Sequence, residues 1–251
     1  MLVMGILNVT PDSFADGGKH NDFESAVARG LEMIAEGVDI IDIGGESTRP
    51  GADRVSEAEE IARTIPVIKE LAKHGVKISI DTMRASTAEA AINAGASIVN
   101  DVSGGLADPL MVQTAARLQV PYISMHWRGQ SKDMNSKAIY GNVVSDVISE
   151  LQERIDAALD AGISRDKLII DPGLGFAKDA DHNWAIIDAI DQFVSMGYPV
   201  LVGASRKRFL GGDSPDEREQ ATINLTKRLA PTGVWAVRVH SVKPHKEVLS
   251  A

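Results

Sequence analysis

Short apolar runs recur along the chain, each ending on a polar residue and a turn, then giving way to apolar positions at helical spacing. The clearest is Leu168-Ile-Ile-Asp-Pro-Gly-Leu-Gly-Phe176, where a β-type run stops at Asp171 and a Pro-Gly turn follows at once. A run this short and this apolar reads as a strand buried on both faces. The same order returns at Lys77–Asp81, at Ser97–Asp101 with Asn100, at Val200–Ser205 leading into Arg206-Lys207, and at Trp235–His240. Strands are also expected at Leu2–Val9, Ile40–Gly45 and Tyr122–His126. Between them, helices are predicted at Phe23–Glu36, from Ser56 onward, at Ser86–Asn93, from Asp108 to Leu118, and at Val143–Ala161, Asn183–Ser195, Pro215–Leu229 and Pro244–Leu249.

The boundaries have local reasons. Ser56 with Glu59 and Ser214 with Glu217 are capping boxes, and Pro109 and Pro215 suit a first helical position. Gly37, Gly95 and Gly197 stop helices, and Pro66 predicts a kink. Inward stripes are expected at Val27, Leu31 and Ile34, at Ile61, Ile65, Ile68 and Leu71, and at Val144, Val147, Ile148, Leu151, Ile155 and Leu159. Long loops at Thr10–Asn21 and Glu46–Val55, and the polar stretch Trp127–Tyr140, interrupt the alternation. Eight strand–helix units predict a single (β/α)8 TIM barrel domain over residues 1–251. In that fold the active site forms at the C-terminal ends of the strands.

Composition narrows the picture. The 251 residues carry a formal net charge of −9 and no Cys, so disulfides, thiolate metal sites and a Cys nucleophile are excluded. A cytoplasmic location fits. The acidic balance argues against a nucleic-acid surface. No apolar run approaches the roughly 20 residues of a membrane span. Met1-Leu-Val-Met-Gly-Ile-Leu7 runs straight into Asn8-Val-Thr-Pro-Asp12 and reads as a strand rather than a signal peptide.

Asn8, Asp81, Asn100, Asp171, Lys207, Arg238 and His240 all fall at or near strand ends. Carboxylates with an amide and a lysine suit a flat heterocycle that presents adjacent N–H donors. Arg49, Arg206, Lys207, Arg238 and His240 form a cationic set suited to an oxyanion. Asn8 is a neutral oxygen ligand, suited to Mg2+ shared with a pyrophosphate. His20, His74, His182 and His245 read as solvated, while His126 could be functional or pack the rim.

Gly5-Ile-Leu-Asn-Val-Thr-Pro-Asp-Ser-Phe-Ala-Asp-Gly-Gly18 closely resembles the first signature of the dihydropteroate synthases, and Ile41-Asp-Ile-Gly-Gly-Glu-Ser-Thr-Arg-Pro-Gly51 their second. Ser79–Thr82, Asn100–Gly105, Met125-His126, Asp171–Phe176, Gly203–Lys207 and Arg238–His240 resemble later motifs in the same order. The resemblance implies a cytoplasmic, dimeric folate-pathway enzyme that joins dihydropterin pyrophosphate to para-aminobenzoate with Mg2+. It implies that Asp81, Asn100, Asp171 and Lys207 hold the pterin, with Met125 and Gly203 lining the pocket and Arg238 against the ring. Asn8, Thr48, Arg49, Arg238 and His240 would take pyrophosphate, with Mg2+ at Asn8. Phe176, Thr48, Pro50, Lys207 and Arg208 would flank para-aminobenzoate. Phe14, Asp16, Thr48, Arg49 and Pro50 would lie on two loops that close over the site, with Phe14 and Asp16 joining Asp81, Asp171, Lys207 and Arg238 in catalysis.

Three departures stand out: Arg208 where many members have Ser, a chain that starts at strand one, and a short last helix. One rival keeps the fold: a corrinoid methyltransferase would retain Asp81, Asn100 and Asp171 but would not need Asn8–Phe14 or Ser205–Lys207. Others are a synthase-like paralogue that binds pterin without turnover, and a non-catalytic interaction protein.

Overall fold

The computed structural model describes residues 1–10, 19–47, 54–130 and 134–250. The strands are β1 (Leu2–Asn8), β2 (Ile40–Gly44), β3 (Lys77–Asp81), β4 (Ile98–Asp101), β5 (Tyr122–Met125), β6 (Leu168–Asp171), β7 (Leu201–Val202) and β8 (Ala236–Val239). All pair in parallel, in the order β6-β5-β4-β3-β2-β1-β8-β7. A parallel bridge between Ile170 and Val200 joins the two edge strands and closes the expected barrel. Closure leaves no strand edge unpaired, so the buried ladder satisfies its own backbone.

Around it run α1 (Lys19–Ala35), α2 (Glu57–Leu71), α3 (Ala85–Ala94), α4 (Met111–Leu118), α5 (Val143–Asp160), α6 (Ala180–Asp188), α7 (Ile190–Val194), α8 (Glu217–Leu229) and α9 (Lys243–Ser250). Several boundaries differ from the sequence expectation. Asp108 does not open α4 directly; its carboxylate accepts from Leu110 N at 2.9 Å and from Ala85 N at 2.8 Å, so it caps the start of α3 as well. Ser214 accepts from Glu217 N, but the Ser-Pro-Asp turn stays outside α8. The single helix expected at Asn183–Ser195 is two, broken at Ala189, and it begins earlier because Asp179 and His182 form a capping box. On α1 the buried face is Ala26 and Met33, while Leu31 is 37% exposed. α2 continues as one helix through Pro66, and its buried face includes Glu60 and Thr64.

Alternation along the strands divides the protein into two layers. Val3, Ile41, Ile78, Ile80, Val99, Leu168, Ile170, Val202, Val237 and Val239 join the large core between barrel and helices. Met4, Ile40, Ile98, Ile123, Ile169, Leu201 and Ala236 form a separate apolar cluster inside the barrel. Two residues further along the same strands, the interior turns polar: Asp42, Asn100, Asp171 and Arg238.

Candidate active site

The register brings the polar positions together. β2 pairs with β3 so that Asp42 lies opposite Ser79 and Gly44 opposite Asp81, and Asp81 in turn lies opposite Asn100. Arg238 crosses the barrel mouth from β8. Its Nε donates to Asp42 Oδ2 at 2.5 Å and its Nη2 donates to Asp81 Oδ2 at 2.6 Å. Asn100 Nδ2 also donates to Asp42 Oδ2, at 3.1 Å. Asp42 is fully buried, and its Oδ1 has no hydrogen-bond partner among the described residues; neither has the buried Ser79 Oγ.

Asp42 is the rim residue that sequence reasoning did not nominate. A signal existed: a carboxylate inside the apolar run Ile40-Ile-Asp-Ile43 must find a partner or pay a desolvation penalty of several kcal/mol.

Asp171 reaches the mouth from β6, where its Oδ1 accepts from Gly173 N at 2.7 Å. Gly173 has φ +69°, and a Cβ there would lie 2.3 Å from the His126 carbonyl oxygen, so only glycine fits this turn. Lys207 approaches from the loop after β7; its Nζ donates to the Leu174 carbonyl and lies 4.7 Å from the centre of the Phe176 ring. Its neighbour Arg206 takes φ +58°, and Arg206 Nε donates to Glu219 Oε2 on α8 at 2.6 Å. The expected cationic set is therefore divided: Lys207 and Arg238 face the mouth, whereas Arg206 is tied outward to a helix. Arg208 is exposed at the start of a 3₁₀ turn.

Beside the polar cluster stands an apolar wall of Met83, Val102 and Met125, with Phe176 and Trp127 packed against it. Met83 and Val102 were missed because each lies just past its strand, in the βα turn. Gly203 lies close to Asp171, with its Cβ position 3.7 Å from Asp171 Oδ2. Asn8 ends β1 half-buried. His240 Nδ1 lies 2.9 Å from Ser205 Oγ, and the His240 amide donates to the same oxygen. Phe14, Asp16, Thr48, Arg49 and Pro50 lie outside the described residues.

Two expectations about histidines are corrected or resolved. His245 is fully buried rather than solvated, with Nδ1 2.8 Å from Thr226 Oγ1, because α9 packs against α8. His126 is buried and packs the rim, contacting Lys178 and Glu150. Asp101, next to Asn100, points the other way and accepts from Ser103, Gly105 and the Tyr122 hydroxyl, organising the loop after β4.

Burial sets the electrostatics. It pushes the Asp81 carboxyl up to about 7, against the pull of Arg238 and with help from Asp42. Burial also raises Asp171. Burial lowers Lys207 to about 8, and the negative charge of Asp171 opposes that shift. The mouth thus holds Asp81 and Lys207 shifted toward neutrality, Asp171 raised by burial, and Arg238 paired with Asp42 and Asp81. Such a site can grip a planar, donor-rich ring and change its field as charge develops. Among the described residues no three His, Cys, Asp or Glu are grouped to hold a metal, and no helix is long and apolar enough to cross a membrane.

Residues 4–240 match the family model described as pterin binding enzyme. The dihydropteroate synthase of Mycobacterium leprae is 49% identical over 98% of this chain and 90% of its own. The structure of the Xanthomonas albilineans dihydropteroate synthase with 4-aminobenzoic acid superposes with a TM-score of 0.93 at 42% identity, covering 99% of this chain and 90% of that one. The same enzyme in complex with 7,8-dihydropteroate gives 0.90 at 38% identity, covering 99% and 91%. A polar barrel mouth beside an apolar wall, the ordered motifs and relatives matched over nearly their full length lead to one conclusion: this chain belongs to the dihydropteroate synthase family of transferases.

Proposed function

We propose that the chain condenses 6-hydroxymethyl-7,8-dihydropterin pyrophosphate with para-aminobenzoate, releasing pyrophosphate and 7,8-dihydropteroate. The observation that carries this reading is the convergence of Asp42, Asp81, Asn100, Asp171, Lys207 and Arg238 on one barrel mouth beside Met83, Val102, Met125 and Phe176. The pterin ring lies against the apolar wall, with its N–H groups on Asp81, Asp171 and the Asn100 amide oxygen. Gly203 and Met125 shape that pocket. Lys207 donates to the ring carbonyl and Arg238 stacks against the ring.

The reacting bond joins a methylene carbon to pyrophosphate oxygen. Heterolysis sends negative charge to pyrophosphate and leaves a cation conjugated with the pterin. Arg238 and His240 face the leaving group, and the ionised Asp81 and Asp171 stabilise the cation. The arylamine is already a nucleophile, so no activated Ser or Cys is needed.

Asn8 fits Mg2+ as a neutral oxygen at a strand end, since Mg2+ keeps several waters and borrows substrate phosphates rather than sitting in a protein cage. When bound there it would neutralise the leaving group. Phe14, Asp16, Thr48, Arg49 and Pro50 complete the site from the two long loops, with Thr48 and Arg49 on pyrophosphate. Phe176, Pro50 and Lys207 flank para-aminobenzoate, and Arg208 serves its carboxylate.

The test is pyrophosphate release by the purified protein with Mg2+ and dihydropterin pyrophosphate, with and without para-aminobenzoate. Release with formation of dihydropteroate is expected. Binding of dihydropterin pyrophosphate without release in the presence of the arylamine would mean a pterin-binding paralogue instead. Slow release without the arylamine supports heterolysis before attack; an absolute arylamine requirement argues against it.

A further inference from the structure

The turn between β6 and α6 carries Phe176 and receives Lys207, yet it has little regular structure of its own. Gly173, Gly175 and Ala177 all have positive φ, at +69°, +77° and +47°. Its one internal backbone bond beyond the Asp171 cap runs from Phe176 N to Gly173 O at 3.1 Å. Side chains hold the rest. Lys178 Nζ donates to Gly173 O and Phe176 O, both at 3.1 Å. Tyr140 Oη donates to Ala177 O at 2.9 Å, and Asn183 Oδ1 accepts from Gly175 N at 2.7 Å.

The third Lys178 contact is His126 Nδ1 at 2.8 Å. His126 Nε2 lies 2.9 Å from Glu150 Oε2, and Glu150 also accepts from Arg128. A carboxylate only accepts, so Nε2 carries the ring proton and Nδ1 accepts from Lys178. Burial with help from Lys178 takes His126 down to about 4, so the ring is neutral. Three acceptors therefore surround Nζ, matching the three donors of an ammonium. Burial draws Lys178 down to about 7, a cost that a lysine free to reach solvent would avoid. None of its hydrogen-bond partners is a carboxylate, although the nearby charge of Asp171 favours its ammonium form. What it contacts is the loop: two carbonyls of the turn and the histidine that follows Met125.

We propose that Lys178, oriented by His126 and assisted by Tyr140, is a positioning residue for the arylamine side of the site, setting Phe176 and the Lys207 amine through the Gly173–Phe176 turn. The proposal rests on the reading that Phe176 and Lys207 flank para-aminobenzoate. Of the pterin contacts, Asp81 and Asn100 sit on β3 and β4, where the barrel holds them, while Asp171 and Lys207 each share one hydrogen bond with this turn.

Lys178→Met keeps the length of the side chain and removes all three donors. It should raise KM for para-aminobenzoate about 10–100-fold, as a displacement near 1 Å does. The Kd for dihydropterin pyrophosphate, by calorimetry, should rise by less, about two- to fivefold, since Asp81 and Asn100 stay in place while Asp171 and Lys207 each share only one hydrogen bond with the turn. A fall in kcat with both constants unchanged, or equal movement of both, overturns the proposal. Tyr140→Phe removes a single donor at the same turn and leaves Arg128 stacked on the ring, 3.8 Å from its centre. It should raise the arylamine KM about two- to fivefold, as one neutral hydrogen bond does. An unchanged value there overturns the proposal, including the case where Lys178→Met does not fold. A wild-type protein that forms no dihydropteroate overturns the functional reading and this proposal with it; a competent wild type with unmoved variants overturns this proposal alone.

Discussion

The floor and the mouth of the barrel are built from the same strands, two residues apart. Ile40 and Asp42, Ile98 and Asn100, Ile169 and Asp171, Ala236 and Arg238 each point into one interior. At the floor the side chains are apolar and close-packed, and every contact favours the folded state. At the mouth the same geometry gathers carboxylates, cations and an amide whose burial is unfavourable unless they find one another. A barrel strand can therefore carry stability at one end and chemistry at the other without changing its pairing.

Arg238→Met should break that division most strongly. It leaves Asp42 and Asp81 facing each other without their shared cation, and it should cost about 3–5 kcal/mol of stability, as breaking a buried ion pair does. Urea denaturation would reveal a mouth mutation that behaves like a floor mutation; a loss of activity with unchanged stability would mean the carboxylates tolerate isolation. Leu201→Ala sharpens the comparison from the other side. Leu201 is fully buried in the floor cluster, and its truncation should cost roughly 2–5 kcal/mol. The folded fraction should keep kcat/KM near wild type, and a large fall would show that the floor shapes the mouth.

The acid limb of the rate profile tests a smaller effect. With Asp81 raised to about 7, kcat/KM for the pterin substrate should fall about tenfold per pH unit below that point. Stability runs the opposite way. A carboxyl raised on folding contributes stability that is fully present below its ordinary value of 3.8 and is lost as pH rises toward about 7. Asp81→Asn should flatten both dependences at lower activity; an acid limb that survives in this variant belongs to another group. The smallest effect is expected at Ala177, a buried alanine with φ +47° in the turn at the mouth. Ala177→Gly should stabilise by about 0.5–1 kcal/mol by relieving left-handed strain. A thermal melt that moves down would show that the methyl packs well enough to outweigh the strain.

Much of this was legible in the chain. The short apolar runs ending at Asn100 and Asp171 mark strands, and because side-chain direction in a strand alternates, Ile98 shares a face with Asn100 and Ile169 with Asp171. Eight such runs separated by amphipathic helices determine the barrel and put Asn8, Asp81, Asn100, Asp171, Lys207, Arg238 and His240 at one end of it. Capping chemistry at Ser56 is equally local.

Tertiary structure decided what depends on partners far apart in sequence. Asp42 meets Arg238 across 196 positions, and no local pattern marks that ion pair. Glu60 and Thr64 face inward on α2 because Arg84 and Thr87 reach Glu60 from the next βα unit, so the true buried stripe includes polar residues that a hydrophobic pattern assigns outward. Lys178 and His126 lie 52 positions apart. His245 is buried because its own helix, α9, packs against Thr226 on α8, which its sequence neighbours do not reveal. Periodicity reports direction, which the backbone sets residue by residue. Whether a buried polar group is satisfied depends on closing the barrel, and that closure is a property of all eight strands together.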